Sequence, residues 1–236
     1  MKQMAVEPVS FSSPHYPYRK VIQGSNTLRG AEIVPYKILM YLLDLPDAAG
    51  YAPVDDNERP RVRLAKYLWY DEPNPLAQPL PTPQQKLSML YDADNPDINT
   101  DDDKAKHPKG YRIFAQRMVN SSGIDANSML KIYPGRILDD DDFRTVLGFQ
   151  AEIWCNTNLI TNTRTTAYDR CFDIEVCLRE ALAGVDIAGV GTIRFARQAS
   201  SYNGSEILYT DGSLSGRMLY FSTNWSEGGG ERIKAF

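Results

Sequence analysis

The sequence predicts an α+β fold, in which a mixed and mainly antiparallel β-sheet packs against one long helix. Residues 147–155 alternate apolar and polar positions, as a half-buried strand does. Residues 166–183 follow with an apolar stripe at helical spacing, and residues 191–197 and 217–223 again have strand character. This order, without repeated β-α-β units, is typical of the α+β class.

The helix predicted at residues 166–183 carries signals at both ends. Thr166 is placed to cap its first turn, and Asp169 brings a carboxylate to the amides there. Gly184 follows the last turn, where a left-handed residue commonly ends a helix. The apolar residues share one stripe, so we expect the helix to lie across the sheet. These residues are Cys171, Ile174, Leu178, Ala181 and Leu182.

The N-terminal part divides into an arm and a helix. Residues 1–30 are rich in Pro, Ser and Tyr and lack a period, which predicts an extended arm that becomes ordered on a partner. Residues 35–45 place Pro35 in a first helical turn and continue with a broad apolar face. We assign residues 31–236 to a single α+β domain, with a Pro-rich and acidic insertion at about residues 46–109.

The predicted insertion has four parts. Residues 61–70 alternate in polarity, which favours a strand over a helix. The prolines of residues 71–83 predict a stiff extended segment. Thr82 begins a capping-box pattern, which predicts a short helix to about residue 91. Residues 92–109 are predicted to form an exposed acidic loop.

Strands resume after that loop. Residues 111–119 and 129–133 are predicted as strands, and Pro134 with Gly135 as the turn that ends the second. The acidic run at residues 139–142 then leads into the long strand.

The composition is that of an ordinary globular chain of 236 residues, 42% hydrophobic and 11% aromatic. Its net charge of −4 argues against sequence-general nucleic-acid binding, which a basic surface would serve. No apolar run reaches the roughly 18 residues that span a membrane, and the first residues lack the hydrophobic stretch of a signal peptide. We therefore expect synthesis in the cytoplasm and no membrane association. Cys155, Cys171 and Cys177 are expected to be buried, reduced thiols.

Few residues could serve catalysis or hold a metal. The two histidines, His15 and His107, each lie beside a proline, and we expect both to be solvated loop residues. The acidic loop places oxygen ligands at alternating positions, but an EF-hand needs Gly where Asp97 stands and Glu where Asp103 stands. A solvated loop is the favoured interpretation, and cation binding stays open. The candidate ligands are Asp92, Asp94, Asp97, Asn99, Asp101 and Asp103.

Two glycine-containing segments approach known motifs without matching them. Gly189 and Gly191 follow a helix and open a strand, whereas a phosphate-binding loop follows a strand and opens a helix. We expect a bulge or close-packed turn there. Residues 212–216 have Leu214 where GxSxG has Ser, and are predicted to form a hairpin tip. We assign no catalytic, cofactor-binding or metal-binding residue, and no cofactor.

Three alternative functions depend on aromatic or acidic segments. Residues 61–70 combine Arg, Lys and aromatic side chains, which could contact phosphates and stack on bases. We favour a strand with one buried and one interface face, because the net charge supplies no wider basic field. A binding module could use Trp69, Trp154 or Trp225 on an aromatic surface for sugar or nucleic acid. An enzyme could use the loop at residues 92–103 with a metal.

Several segments resemble structural proteins of tailed bacteriophages. The first is the run Lys-Tyr-Leu-Trp-Tyr at residues 66–70, followed by Pro-rich sequence and Thr-Pro-Gln-Gln-Lys-Leu-Ser at residues 82–88. The second is Leu-Lys-Ile-Tyr-Pro at residues 130–134, which leads to residues 146–157. The closing pattern, Tyr-Asp-Arg at the start of the helix and then residues 182–195, is similar to the neck and tail-terminator proteins that form rings between head and tail.

This resemblance covers roughly residues 60–223. It implies a small α+β core, no enzyme activity, and a homo-oligomeric ring, commonly of six subunits, that caps the tail tube and meets the head-side connector. DNA would pass through the lumen of such a ring in the virion. The arm at residues 1–30 and the region at residues 46–109 depart from a minimal terminator. They leave terminator, head–tail adaptor and stopper as alternatives.

Overall fold

Long antiparallel strands dominate the architecture. The computed structural model describes residues 31–45, 54–117, 127–141, 144–160, 169–195, 204–209 and 214–225. These residues contain a mostly antiparallel seven-stranded sheet in the order β1-β2-β3-β7-β5-β4, with β6 paired to another part of β7. The strands are β1 (Ile113–Phe114), β2 (Ser128–Asp141), β3 (Arg144–Asn156), β4 (Asp186–Ile187), β5 (Gly191–Arg194), β6 (Ser205–Tyr209) and β7 (Leu214–Trp225).

The predicted α+β class is confirmed, and six helices accompany the sheet in the described ranges. They are α1 (Val34–Leu42), α2 (Pro60–Trp69), α3 (Pro83–Ser88), α4 (Asp101–Lys106), α5 (Thr157–Ile160) and α6 (Arg170–Leu182). α1, α2 and α6 contact β2, β3 or β7, and their buried residues share one hydrophobic core with the inward residues of these strands. The long strand, the packed helix and the strand at residues 217–223 were therefore predicted correctly.

The strand predicted at residues 61–70 is wrong, because this segment is helix α2. Pro60 stands in its first turn, where a missing N–H costs nothing. Nearly every following side chain is buried, so the alternation in polarity did not reflect one exposed face. Leu64, Tyr67 and Leu68 belong to the main core. The division of the chain into an arm, a core and an insertion remains a prediction.

The hairpin of β2 and β3 is longer than predicted. A turn was expected at Pro134 and Gly135, but β2 continues to Asp141 opposite Arg144. The register shifts between Pro134 and Ile137, and this irregularity accommodates a proline that cannot donate to the ladder. The prediction of a turn is therefore wrong.

Three predictions in the middle of the chain are corrected in detail. The acidic loop contains α4, which Thr100 and Asp103 begin with a capping box. The Pro-rich segment contains a 3₁₀ turn at Pro75–Ala77. The strand predicted at residues 111–119 is reduced to β1, and residues 118–119 lie outside the described ranges. The capping box of Thr82 is confirmed at α3.

The ends of α6 differ slightly from the prediction. Asp169 is the cap: its backbone is extended, and its Oδ1 accepts from the Phe172 amide at 2.6 Å. Thr166 lies outside the described residues. Gly184 has φ +72°, as expected of a left-handed residue after the last turn. A Cβ on Gly191 would meet Thr223 Oγ1 at 3.0 Å, so the close-packed turn predicted here is confirmed.

The sheet face opposite the main core is called the outer face here. At one end it carries a second hydrophobic cluster, formed by Tyr111, Phe114 and Met129 with Trp154 against them. No helix in the described ranges has the length and apolarity to cross a membrane.

Candidate functional site

A cavity of about 380 Å³ lies between the end of α4, the start of β1 and the residue that precedes β2. Its lining includes Lys104, Lys109, Arg112 and Asp71 together with the imidazole of His107, and we call it the basic cavity. Three permanent cations thus face one carboxylate. The remaining lining residues are Ile98, Pro108, Gly110, Tyr111 and Asn127.

Arg112 and Asp71 form a paired unit in the wall of the basic cavity. The Arg112 side chain is 3% exposed, and its two terminal nitrogens donate to the two Asp71 oxygens at 2.9 and 2.8 Å. This fork-to-fork geometry is the strongest arrangement of an arginine and a carboxylate. Lys109 Nζ adds a contact of 3.3 Å to Asp71. The negative charge of Asp71 is therefore already balanced by Arg112 and Lys109 in the same wall.

The pKa of Asp71 reflects two opposing effects. Partial burial raises the pKa of its carboxyl, and the hydrogen bond and charge of Arg112, aided by Lys109, outweigh that effect. The pKa consequently lies below its ordinary value. Asp71 is ionised at neutral pH. Burial, and after it the charges of Asp92 and Asp103, raise the pKa of Tyr111 in the same lining, so further carboxylates lie near the cavity.

His107 lies half-buried in the same wall. Its Nδ1 is 2.7 Å from the Ser88 carbonyl oxygen, and because a carbonyl can only accept, Nδ1 donates this hydrogen bond. Its ring centroid lies 4.7 Å from that of Tyr111, whose hydroxyl donates to the Asn95 carbonyl at 2.6 Å. His107 is a loop residue, as expected, but it is only partly exposed and its ring lies against Tyr111, while His15 lies outside the described residues.

The chemistry of the basic cavity is electrostatic. Its lining contains no Ser or Cys beside a base, which a nucleophilic mechanism would need. Ammonium groups of Lys104 and Lys109 can instead donate to the oxygens of an anion. The arrangement suits recognition of a carboxylate or a phosphate.

The acidic loop does not gather its carboxylates. Asp92 Oδ1 accepts from the Asp94 amide at 3.0 Å, and Asp103 is engaged with Thr100 at the start of α4. Among the described residues, no group of three or more His, Cys, Asp or Glu side chains is placed to hold a metal ion.

The basic residues of α2 are committed to partners within the chain. Arg61 Nη1 lies 2.8 Å from Asp44 Oδ1, Lys66 Nζ lies 2.6 Å from Asp55 Oδ1, and Arg63 pairs with Glu180. The nucleic-acid hypothesis for residues 61–70 therefore finds no unpaired cation among Arg61, Arg63 and Lys66. The alternative, a strand with one buried and one interface face, is wrong because this segment is a helix.

The tryptophans do not form one aromatic surface. Trp69 is 5% exposed and lies in the main core, which is incompatible with a role in surface binding. Trp154 is half-buried on the outer face, and its Nε1 donates to Glu152 at 3.2 Å. Tyr133 donates to the same carboxylate. The side chain of Trp225 lies outside the described residues.

The prediction of buried free thiols is confirmed for Cys155, Cys171 and Cys177. Burial raises the pKa of the Cys177 thiol to about 12, and this side chain is therefore a neutral core residue at physiological pH.

The basic cavity was missed in the sequence. One available signal was the abrupt change of charge along this segment. Three acidic residues, Asp101–Asp103, are followed by Lys104 in the same helix and by Lys109 and Arg112 after it. A charge run predicts a solvated surface, and neither burial of Arg112 nor its pairing with Asp71 can be deduced from spacing.

No protein-family model matches the chain, and no curated protein matches it significantly.

Proposed function

We propose that this chain is a structural protein of a tailed-bacteriophage virion, acting as a tail terminator in the neck. In this proposal it forms a homo-oligomeric ring, expected to have six subunits, at the head-proximal end of the tail tube. The ring joins the tube to the head-side connector, and DNA passes through its lumen. The chain performs no catalytic step in this role.

One observation carries the proposal. The segments on which the phage resemblance depends fall in α2, α3, β2, β3, the start of α6 and the β4–β5 hairpin. Apart from α3, each of these elements contributes buried apolar residues to one hydrophobic core. A resemblance confined to unrelated loops would carry little weight, whereas a packed unit is what a ring subunit needs as its rigid body.

The charge distribution is compatible with a lumen. The net charge of −4 per subunit disfavours strong retention of a phosphate backbone that must slide through. A head–tail adaptor or a stopper remains an alternative, because both would use the same rigid unit and differ in their neighbours.

Two measurements test the proposal. Native mass spectrometry and negative-stain microscopy of the purified full chain should find a closed ring. In virions assembled with a tagged copy, the tag should be found at the junction of head and tail. A protein that is strictly monomeric and absent from particles would overturn the proposal. A tag on the head side of the connector would favour an adaptor.

A further inference from the structure

Two of the three free thiols lie at the joint between strand β3 and the start of helix α6. Cys155 is the second-last residue of β3, and Cys171 is the second residue of α6. Both side chains are 0% exposed and belong to the main hydrophobic core. The proposed ring function uses neither thiol.

The path of the chain brings these two sulfur atoms together. Ser215 of β7 lies directly opposite Cys155 in the register, and the side chains of such a pair leave the same face of the sheet with their Cβ atoms about 4.5–5.5 Å apart. Cys171 Sγ lies 3.4 Å from the carbonyl oxygen of the same Ser215. Helix α6 therefore places its first thiol over this cross-strand pair, beside the thiol of Cys155.

The two thiols also interact directly. A hydrogen bond between them, and after it burial, raises the pKa of Cys171. Cysteines whose side chains point apart cannot be bridged without backbone movement, whereas these two side chains already meet.

We propose that Cys155 and Cys171 are a dithiol pair that a small-molecule disulfide oxidises to an intramolecular disulfide, which fastens the start of α6 to β3. The thiolate of one cysteine attacks a sulfur of the oxidant and releases one small thiol. The thiolate of the other cysteine then displaces the second half of the oxidant, so the new bond forms as the mixed disulfide breaks. The protein loses two protons and two electrons, and the oxidant is reduced to two thiols.

The cross-link would close a short loop and stabilise the folded chain. Residues 155 and 171 are 16 positions apart, and the segment between them contains α5. A disulfide across a loop of about 15 residues restricts the unfolded chain, and the expected rise in melting temperature is about 5–10 °C. Because both thiols are buried and the pKa of Cys171 is raised, thiolate forms rarely and the exchange should be slow.

The surroundings of the protein decide the state of such a pair. Thiols stay reduced in the cytoplasm, whereas disulfides persist in an oxidising medium. For a virion protein, the change would come when the particle leaves its host. The pair itself depends only on the contact between β3 and α6, so the inference goes beyond the neck function and does not rest on it.

Cys177 is the matched control. It is also a buried free thiol, and it lies six residues after Cys171 in α6, about 9 Å further along the helix axis. Cysteines whose Cα atoms are more than about 7 Å apart cannot be bridged without backbone movement. Burial raises the pKa of Cys177, and its first charged neighbour is Arg63 of α2.

Oxidation of the folded, full-length chain with oxidised glutathione tests the proposal. Peptide mapping without reductant should find Cys155 linked to Cys171 and Cys177 free. Thermal unfolding should show a rise of about 5–10 °C that dithiothreitol reverses. Cys177→Ala should form the same link and show the same rise, whereas Cys155→Ala and Cys171→Ala should gain no stability from the oxidant. Mapping of the wild-type chain needs no substitution, so the test stands if a variant at these buried positions does not fold.

Four results would overturn the proposal. In the first, Cys155 and Cys171 stay reduced in the folded chain under conditions that oxidise the urea-unfolded chain. In the second, the link includes Cys177, and in the third, glutathione is attached to one thiol without a cross-link. In the fourth, the expected link forms but leaves the melting temperature unchanged or lower. None of these measurements reads the oligomeric state or the location in particles, so each result leaves the neck function to its own test.

Discussion

Arg112 and Arg170 donate to backbone carbonyls at and just beyond the same end of helix α2. Arg112 Nη1 lies 2.7 Å from the Leu68 oxygen, and Arg170 donates to the oxygens of Tyr70 at 2.7 Å and Glu72 at 2.5 Å. The last carbonyls of a helix lack intrahelical partners and carry the negative end of its dipole. Two buried guanidinium groups, one from the residue before β1 and one from the start of α6, thus bind carbonyls at the end of a helix that lies in the core.

Replacement of Arg170 by Ala should lower the free energy of unfolding by about 3 kcal/mol. The substitution leaves the Tyr70 and Glu72 carbonyls without their donor in a region where Arg170 is fully buried. Urea unfolding of Arg170→Ala against Arg194→Ala, an exposed arginine in β5, measures the difference. Equal losses in the two variants would show that these contacts add nothing.

Replacement of Asp169 by Ala should cost about 1 kcal/mol, because the first-turn amide of Phe172 loses its acceptor. Asp169→Asn is the matched variant, since asparagine caps helices as well as aspartate does. Thermal unfolding should rank wild type and Asp169→Asn close together and Asp169→Ala below them. If Asp169→Asn is as unstable as Asp169→Ala, the carboxylate charge matters more than the cap.

Gly216 lies against the ring of Trp154, and Gly216→Ala should displace that ring. An added Cβ would come within 2.5 Å of Trp154 Cε3, which is closer than atoms can pack, and the expected loss is about 1–3 kcal/mol. The near-ultraviolet circular dichroism should change with it.

Gly184→Ala is the control for that experiment. Gly184 has a positive φ but open space around its Cα, so strain alone should cost about 1–2 kcal/mol. The signal of Trp154 should then stay unchanged. A Gly216→Ala protein with a wild-type spectrum would contradict the close approach of the ring.

Acid should destabilise the protein in part through Asp71. Its pKa is lowered in the folded state, so its ionised form contributes stability above the unfolded pKa of about 4, and this contribution is lost as pH falls through the folded pKa. Asp71→Asn should therefore be less stable than wild type at pH 7, and the difference should shrink at pH 3. Urea unfolding at both pH values checks this.

Asp97→Asn, at an exposed carboxyl, serves as the control for Asp71→Asn. It should change stability little at either pH. A difference between wild type and Asp71→Asn that stays constant from pH 7 to pH 3 would contradict a role for the Arg112 pair in acid sensitivity.

Local signals were reliable where the chain itself supplies the interaction. Thr82 begins a capping box with Gln85, three residues away, and Gly184 ends α6 with its own backbone conformation. Both are visible in a few consecutive residues. The alternation of β3 is similarly local, because one face of a strand meets the core and the other does not.

The strand predicted at residues 61–70 is wrong because of the tertiary packing around this segment. α2 is surrounded on most sides by α6, the sheet and buried partners, so its residues show no polar stripe with a period of 3.6. Lys66, for example, is 2% exposed, although lysine is usually a surface residue. Its burial depends on Asp55 and Asn57, which only the folded chain brings to it.

The sequence by itself determined the long strand, the packed helix with its glycine end and the buried thiols, because each depends on the residues within one element. It also determined the α+β class, which depends on the order of such elements along the chain. The tertiary structure alone decided the basic cavity, the pairing of Arg112 with Asp71 and the convergence of Arg112 and Arg170 on α2. Those relations join residues that are distant in the chain. The sequence shows which charged groups are present, but only the folded path of the backbone determines which of them form contacts.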